Sequence, residues 1–333
     1  MGVNIVRIYT LVGLLLINVI EPGIGSSVVG QAGGADQIAN VERVPLGQQL
    51  INIVPENIFR DLADNDMLAI IFSAILFGYF VTLAGDKSST TIINLFEALF
   101  EVIMKIVLTI IKVAPAGVFA IVAKMISMQA GDTGRLAETA QSLGLFVLII
   151  WIGCAIHFFI VMPSIVWFVG GENPWRHMKK MAAAILTAFS TCSSGAALPI
   201  SMRDSQERCG ISNRISSFTL PLGATINMNG TALYECVAVI FIAQVYGIEF
   251  SFLEQLIIVI TVLFSAIGTA SVPMAGLVML SVALSVAGLP MEGIGLVLAV
   301  EQLCDMPRTA TNSYGDMCAA VVIAKSEGEK LTI

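Results

Sequence analysis

Five polar or charged residues recur at intervals of three or four positions near the end of the chain: Glu301, Asp305, Arg308, Asn312 and Asp316. At about 100° per residue, this spacing places them on one stripe of a helix, roughly 80° wide. Arg308 offers a planar fork of donors that suits a carboxylate, and Asp305, one turn earlier, can accept from an ammonium group. The stripe therefore predicts a ligand that carries an amino group and a surplus carboxylate. Asp316 is an acceptor only and suits a small hard cation.

The composition requires this stripe to face protein rather than lipid. The chain has 333 residues, of which 56% are hydrophobic and 12% charged, whereas soluble domains carry about 25% charged residues. This composition is typical of a multi-pass membrane protein. Facing lipid, Asp305, Arg308 and Asp316 would together cost roughly 8 to 10 kcal/mol, so we predict an enclosed polar site. The alternative is an Asp305–Arg308 ion pair that only holds helices together.

Charge and cysteine patterns exclude other classes of protein. The 17 basic and 24 acidic residues form no basic stripe, which argues against nucleic-acid binding. Six cysteines fall singly in or beside apolar segments, without the spacing of metal ligands, and we expect them to be small buried hydrophobic residues. They are Cys154, Cys192, Cys209, Cys236, Cys304 and Cys318.

The first half of the chain alternates apolar segments with one polar loop. Residues 4–20 are predicted to form a membrane helix rather than a signal peptide, because Arg7 is the only early positive charge and no convincing cleavage site follows. Residues 21–45 are rich in Gly, Ser and polar groups, which indicates an exposed loop. The predicted membrane segments after it cover residues 50–84, 91–128 and 144–170.

In the second half, small and polar clusters interrupt the apolar segments at residues 188–199, 223–235, 267–276 and 305–316. Backbone that is broken within a membrane must be enclosed by protein. The apolar arms beside the first and third clusters run about a dozen residues, which is too short to cross and suits re-entrant hairpins. Paired interrupted segments predict the binding site of a transporter.

The motifs STCSSGAALP, SFTLPLGATINMNGTALYE, IGTASVPMAG and DMPRTATNSYGD occur in this order. From about residue 11 to its end, the chain resembles the sodium-coupled dicarboxylate/amino-acid symporter family, which includes excitatory amino acid transporters. The resemblance implies an all-α multi-pass membrane protein with the glutamate-transporter-type elevator fold, two re-entrant helical hairpins and interrupted helices in an inverted repeat. It also implies a homotrimer in the plasma membrane, or in the inner membrane of a bacterium, and sodium ions as coupling ions without another cofactor.

The resemblance also divides the chain. A remnant of a transmembrane helix (1–20) and the exposed loop (21–45) come before scaffold and trimerisation helices (46–128), a transport domain (129–326) and a polar tail (327–333). The expected parts of the transport domain are a helix (144–170), hairpin 1 (about 173–207), an interrupted helix (211–245), hairpin 2 (about 252–288) and a last helix (290–326).

For the substrate, the resemblance assigns Arg308 to a side-chain carboxylate, Asp305 to the amino group, and Thr309 and Asn312 to the remaining polar atoms. The residues expected to face or close over the substrate are Ser193, Ser194, Thr231, Val272, Pro273 and Gly276.

For sodium, the resemblance implies two sites. The first would use Asp316 with Gly223, Asn227 and Asn312, and the second would use Thr225, Ala266, Ile267 and Thr269 with Met228 nearby. A helix unwound at the NMN sequence would expose carbonyl oxygens of the kind that sodium requires. Glu235 is a candidate proton carrier, and the alternative for it is a neutral, structural glutamic acid.

The chain departs from the family pattern in four ways. Its beginning lacks helices that the family has, so we expect an N-terminally incomplete protein. Asn229 replaces a carboxylate of a further sodium site, which argues against a third sodium ion. Cys192 and Met306 stand where an arginine would partner Asp305, so we expect Asp305 to be held less firmly. Pro307 removes one amide donor from the last helix and frees the carbonyl of Leu303, which predicts a kink.

Several other functions fit less well. A C4-dicarboxylate carrier of the same fold is the closest alternative, although Asp305 would then meet an anion without an ammonium group. Arg308 disfavours a neutral amino-acid exchanger, and an uncoupled anion channel remains a minor alternative. An intramembrane hydrolase could use Ser193 or Ser194 with His157, but the GxSG motif is absent. An aspartyl hydrolase would need Asp305 and Asp316 to share a proton, but on one helix they would lie about 16 Å apart along its axis, which is too far.

Overall fold

The computed structural model describes residues 2–24, 54–55, 57–64, 67–113, 116–117, 119–120, 123, 127, 133–267 and 275–333. Helices and turns make up this part of the chain, which contains no strand. In chain order the α-helices are α1 (Gly2–Ile20), α2 (Ile58–Asp64), α3 (Met67–Leu83), α4 (Asp86–Ile111), α5 (Thr133–Ile156), α6 (Met162–Phe168), α7 (Pro174–Lys180), α8 (Ala182–Thr191), α9 (Ser194–Glu207), α10 (Asn213–Ile226), α11 (Asn229–Val245), α12 (Phe252–Ile267), α13 (Ala275–Ala287), α14 (Ile294–Leu298) and α15 (Glu301–Ser326).

The chain divides into two compact units. The smaller unit covers residues 41–127 and contains α2, α3 and α4. Its helices expose large apolar side chains, among them Phe77, Phe80 and Phe100. In a bilayer such side chains face lipid, so their exposure is consistent with helices that lie in a membrane.

The larger unit contains residues 1–40 and 128–333, with α15 at its centre. Helices α5, α6 and α8 to α11 all pack against α15, and α1 packs against α11 and α5. Two helical stretches of the described chain are long and apolar enough to cross a membrane, Leu136–Phe168 and Asn213–Val245. All six cysteines are buried and carry free thiols, in agreement with the sequence analysis.

The predicted helix over residues 144–170 begins earlier, at Thr133, and its regular α-helical geometry gives way to one π-helical turn at His157–Val161. His157 is buried at the start of that turn. The last long helix begins at Glu301 rather than at residue 290. A 3₁₀ turn at Met291–Gly293 and the short α14 occupy the intervening segment, where Pro290 cannot donate to a helical ladder.

Two breaks in the backbone bring the polar clusters next to α15. Helix α8 ends at Thr191 and is followed by Cys192, which adopts the left-handed conformation. Ser193 then caps α9 by accepting a hydrogen bond from the Ala196 amide. The second break lies at Asn227 and Met228, between α10 and α11. This break is the unwinding that the NMN sequence predicts.

Residues 327–333 fold back onto the larger unit. The Thr332 amide donates to the Cys209 carbonyl at 3.0 Å, and the Ser212 amide donates to the Glu329 carboxylate at 3.0 Å. Hydrogen bonds from the side chain and backbone of Ser212 lower the pKa of Glu329. This polar tail is therefore attached to the larger unit through Glu329 and Thr332 among other residues.

Candidate functional site

The charged stripe of α15 is buried and forms one ionic cluster. Nη2 of Arg308 lies 2.8 Å from Oε1 of Glu301 and 2.8 Å from Oδ1 of Asp305. Nε of Arg308 also donates to Oδ1 of Asp305, at 3.2 Å. The ion pair that the sequence analysis left as an alternative is therefore present, and Glu301 joins it as a third member.

Asp305 is held from two sides. Oδ1 accepts from Thr309 Oγ1 at 2.8 Å as well as from Arg308. The departure at Cys192 and Met306 thus leaves Asp305 with an arginine partner, which is Arg308 itself. These contacts hold Asp305 firmly, in contrast to the expectation from the sequence.

Arg308 also lies against an aromatic ring. Its Cζ atom is 4.4 Å from the centre of the Tyr234 ring, in α11, a geometry that stabilises a cation. Within the described residues, Nη1 of Arg308 is buried without a hydrogen-bond partner, whereas the Glu301 carboxylate interacts with the Tyr234 side chain. The cluster therefore retains one unused donor away from bulk solvent.

Two glycines let other helices approach Arg308 closely. A Cβ atom at Gly276, in α13, would lie 2.7 Å from Nη1 of Arg308. A Cβ atom at Gly230, in α11, would lie 2.7 Å from the Arg308 carbonyl oxygen. Real Cβ atoms do not approach so closely. At Gly230 the neighbour is backbone, so the packing there requires glycine, whereas at Gly276 an added methyl group would force the guanidinium group to shift.

Asn312 joins α15 to the break between α10 and α11. Its Oδ1 accepts from the Gly230 amide at 2.6 Å, and its Nδ2 donates to Thr231 Oγ1 at 3.2 Å and to the Met228 sulfur at 3.4 Å. Because the first amides of a helix have no partner within it, Asn312 acts as a cap for α11. Asn312, Thr231 and Met228, assigned separately from the sequence, meet at this point.

Asp316 lies at the same break. Its Oδ1 accepts from Nδ2 of Asn227 at 2.9 Å. A Cβ atom at Gly223 would lie 2.5 Å from the same oxygen, so the α10 backbone is in direct contact with this carboxylate. Asp316, Asn227 and Gly223 are therefore neighbours, as the first predicted sodium site requires. A carboxylate oxygen such as that of Asp316 is a ligand that suits a hard cation.

Other predicted site residues are less closely connected to this cluster. Thr225 is exposed and donates to the Leu222 carbonyl at 3.0 Å, Ala266 is buried, and Ile267 ends α12. Glu235 is fully buried in α11. The three residues Thr269, Val272 and Pro273 lie outside the described residues.

Ser193 and Ser194, at the break between α8 and α9, contact two different partners. Ser194 is buried, and its hydroxyl accepts from Ser313 Oγ of α15 at 3.2 Å. Ser193 accepts from the Ala196 amide at 3.2 Å as the cap of α9. The pattern of a serine followed by a helix could have indicated this capping role from the sequence.

Sequence reasoning did not assign a role to Glu301 or Tyr234. Glu301 is a member of the predicted stripe, seven residues before Arg308, so its spacing by two helical turns was a usable signal. Tyr234 carries no comparable signal, because its contact with Arg308 depends on how α11 packs against α15. Both residues contact the guanidinium group directly.

Comparisons with known proteins identify relatives of this chain. An excitatory amino acid transporter of Caenorhabditis elegans is 37% identical over 78% of this chain and 50% of its own length. Excitatory amino acid transporter 3 of Mus musculus is 39% identical over 80% of this chain and 50% of its own length. A proton/sodium-glutamate symport protein of Bacillus caldotenax is 32% identical over 98% of this chain and 76% of its own length.

The chain thus spans about half the length of the two animal relatives. A family profile described as the sodium:dicarboxylate symporter family matches residues 4–326. That match includes α1, the break at Asn227 and Met228, and the whole charged stripe of α15. The protein therefore belongs to the sodium:dicarboxylate symporter family, a family of membrane transporters rather than enzymes.

Proposed function

We propose that this protein is a secondary active symporter that moves an acidic amino acid, glutamate or aspartate, together with sodium ions. The observation that carries the proposal is the enclosed cluster of Arg308 with Asp305 and Glu301, because charged residues inside a membrane are rare and mark functional sites. The relatives named as excitatory amino acid transporters and proton/sodium-glutamate symport proteins support the same choice of substrate.

The substrate would bind between α15 and the two hairpins. Arg308 would hold its side-chain carboxylate, Asp305 its amino group, and Thr309, Asn312 and Thr231 its remaining polar atoms. Ser193, Ser194, Val272, Pro273 and Gly276 would close over it. The unused donor at Arg308 Nη1, which faces Gly276, supports this placement.

Sodium would bind beside the break between α10 and α11. The contact of Asp316 with Asn227 and Gly223 supports a first site that also uses Asn312. A second site would use Thr225, Ala266, Ile267, Thr269 and Met228. Asn229 is neutral, so a third sodium ion is not part of the proposal.

Transport would follow an elevator mechanism in a homotrimer of the plasma membrane. Residues 46–128 would form the scaffold, and their clustering into a separate unit, residues 41–127, supports this division. The larger unit would be the transport domain, with re-entrant hairpins formed by residues 173–207 and 252–288. Helix α1 would move with it, since α1 packs on α11.

Uptake into proteoliposomes tests the function. We expect radiolabelled L-aspartate and L-glutamate to accumulate under an inward sodium gradient and not when potassium replaces sodium. Succinate should enter at least about tenfold more slowly than L-aspartate, since Asp305 would face no ammonium group. Equal rates for succinate and L-aspartate would favour the C4-dicarboxylate carrier, and entry without accumulation would indicate an uncoupled pathway.

The sodium site is tested by Asp316→Asn, with Asp204→Asn as its control. Asp204 is a buried aspartate on α9 that pairs with Arg203 at 2.9 Å, outside the proposed sites. We expect Asp316→Asn to raise the half-saturating sodium concentration by at least about tenfold, which corresponds to 1.4 kcal/mol. Asp204→Asn should leave that concentration unchanged. An unchanged sodium dependence in Asp316→Asn would contradict the assignment.

We also propose that Glu235 carries a proton, which its complete burial in α11 supports. Imposing a proton gradient without a sodium gradient tests for this coupling directly. Glu235→Gln cannot exchange a proton, so we expect uptake by this variant to lose its dependence on pH. An unchanged pH dependence would remove the proton role and leave Glu235 as a structural residue.

A further inference from the structure

We propose that Glu301 competes with the substrate's carboxylate for the guanidinium group of Arg308, so that loading requires Glu301 to release it. This inference rests on the proposed function, because it concerns the residue assigned to the substrate's side chain. It makes Glu301 a residue that sets affinity for acidic substrates. Neither the charged stripe nor the motifs of the sequence assign such a role to it.

The geometry of the guanidinium group supports the competition. A guanidinium group offers two edges that can each hold a carboxylate through a pair of parallel hydrogen bonds. Asp305 Oδ1 occupies the edge formed by Nε and Nη2 of Arg308, at 3.2 and 2.8 Å. Glu301 Oε1 lies 2.8 Å from Nη2 and so engages the second Nη2 hydrogen, on the edge that Nη2 shares with Nη1.

The second edge is therefore half occupied. Nη1 has no hydrogen-bond partner in the described part of the chain, and it faces the backbone of Gly276. A substrate carboxylate that binds this edge through both oxygens needs Nη1 and also the Nη2 hydrogen that Glu301 accepts. The two carboxylates cannot both make their best contacts with Arg308.

Charge adds to this steric argument. The Glu301 and Arg308 side chains are 2% and 3% exposed, and the cluster already contains two carboxylates for one guanidinium group. A third carboxylate beside them would be a buried charge without a compensating partner, which is costly. Among the residues that the structure describes, the other titratable side chains that interact with Glu301 are Tyr234 of α11, Cys304 of α15 and Cys192, which follows α8, and none of these three is a cation.

Glu301 also differs from a fully engaged structural carboxylate. Arg308 donates to Glu301 through Nη2 alone, and the Tyr234 side chain lies beside the Glu301 carboxylate. Asp305 is held more tightly, because its Oδ1 contacts both Nε and Nη2 of Arg308 and also accepts from Thr309. Fewer hydrogen bonds to Arg308 must therefore break when Glu301 is released. Glu301 is therefore the member of the pair that an incoming carboxylate can displace.

Equilibrium binding of radiolabelled L-aspartate to the purified full chain, in saturating sodium, tests the proposal with Glu301→Gln. Glutamine keeps the size of the side chain but removes the charge that competes for Arg308. We expect Glu301→Gln to bind L-aspartate at least about tenfold more tightly than wild type. It should also unfold at a lower temperature without L-aspartate and show a larger rise in Tm when L-aspartate is added, which loss of a structural contact would not produce.

Glu172→Gln is the matched control. Glu172 pairs with Lys325 of α15 at 3.0 Å and contacts none of the proposed sites. Its affinity for L-aspartate should stay within about twofold of wild type. An affinity of Glu301→Gln that is unchanged or weaker would overturn the inference while the proposed function stands. Wild-type protein that binds no L-aspartate in sodium would remove both.

If Glu301→Gln yields no monodisperse protein, Glu301→Asp decides the question. Aspartate keeps the charge but is one methylene shorter, so it reaches Nη2 of Arg308 less well and competes less. We expect this variant to bind L-aspartate about threefold more tightly than wild type. Equal or weaker binding by Glu301→Asp would overturn the inference.

Discussion

Nε1 of Trp151, in α5, donates a hydrogen bond to the carbonyl oxygen of Leu303, in α15, at 2.9 Å. This carbonyl is the one that Pro307 leaves without its helical donor, because proline has no amide hydrogen. Helix α15 nevertheless continues through Pro307 to Ser326. The bond from Trp151 thus satisfies the acceptor that the proline frees, while the predicted kink at Pro307 stays a prediction.

Trp151→Phe should destabilise the protein by about 1 to 3 kcal/mol, because no water replaces the lost donor within a bilayer. Thermal unfolding in lipid nanodiscs measures this loss. Trp167→Phe is the control, since Trp167 is largely exposed and stacks on Phe168. In a Pro307→Ala background, where residue 307 regains its amide hydrogen, Trp151→Phe should cost less. An equal cost in both backgrounds would show that the indole does not act through Leu303.

Gly276→Ala should weaken uptake of acidic amino acids. The added methyl group would lie 2.7 Å from Nη1 of Arg308 and would have to displace the guanidinium group. We expect KM for L-aspartate to rise about tenfold or more, since overpacking typically costs 1 to 3 kcal/mol. Gly295→Ala, in α14, is the control because its Cβ would meet no atom within 4 Å. Equal values of KM in the two variants would contradict the close contact at Gly276.

Asn312→Ala should lower the free energy of unfolding by about 1 to 3 kcal/mol, because it leaves the buried Gly230 amide without an acceptor. Chemical or thermal unfolding of the purified protein measures the loss. Thr231→Val removes only the hydroxyl that Asn312 Nδ2 contacts and keeps the bond to Gly230. It should therefore cost clearly less. If Thr231→Val is as damaging as Asn312→Ala, the cap on α11 is not the source of the loss.

His177 should make the protein less stable in mild acid. Burial, with a smaller effect of Lys180, lowers the pKa of His177 to about 4 from its ordinary value near 6.5. Its ring stacks on Tyr314, with 5.7 Å between centroids, and neither ring nitrogen has a hydrogen-bond partner in the described chain. Between these two pKa values the unfolded chain binds a proton that the folded protein excludes.

The free energy of unfolding should therefore be highest above about pH 6.5. It should fall between pH 6.5 and pH 4 by up to about 1.4 kcal/mol per pH unit. His177→Phe keeps the ring contact with Tyr314 and removes the titrating group, so its unfolding should depend less on pH over that range. Thermal unfolding across this pH series compares the two proteins. An identical pH dependence in both would exclude His177 as the source.

The buried polar face of α15 could be predicted from the sequence, because its polar residues follow the period of a helix and cannot face lipid. The break at Asn227 and Met228 could also be predicted, since small and polar residues interrupt an apolar segment there. These are local patterns. They indicate that Asp305, Arg308, Asn312 and Asp316 share one buried face, which the structure confirms.

Contacts between helices were harder to predict. The positions of Tyr234 over Arg308 and of Trp151 beside Leu303 depend on the rotation of one helix against another, which no local pattern specifies. Ser193 was assigned to the substrate, although its contact in the structure caps α9. Glu301 belonged to the predicted stripe, but the sequence did not show which of two carboxylates Arg308 would prefer, and the structure places both against it.

Gly223, Gly230 and Gly315 leave no space for even a methyl group between α15 and the break that joins α10 to α11. Helix α15 cannot turn about its own axis here without a collision, and it cannot slide past α11 by a residue. The groups that we assign to substrate and to sodium are thus packed closely against one another. Under the proposed function, cargo bound there would cross the bilayer together with these helices.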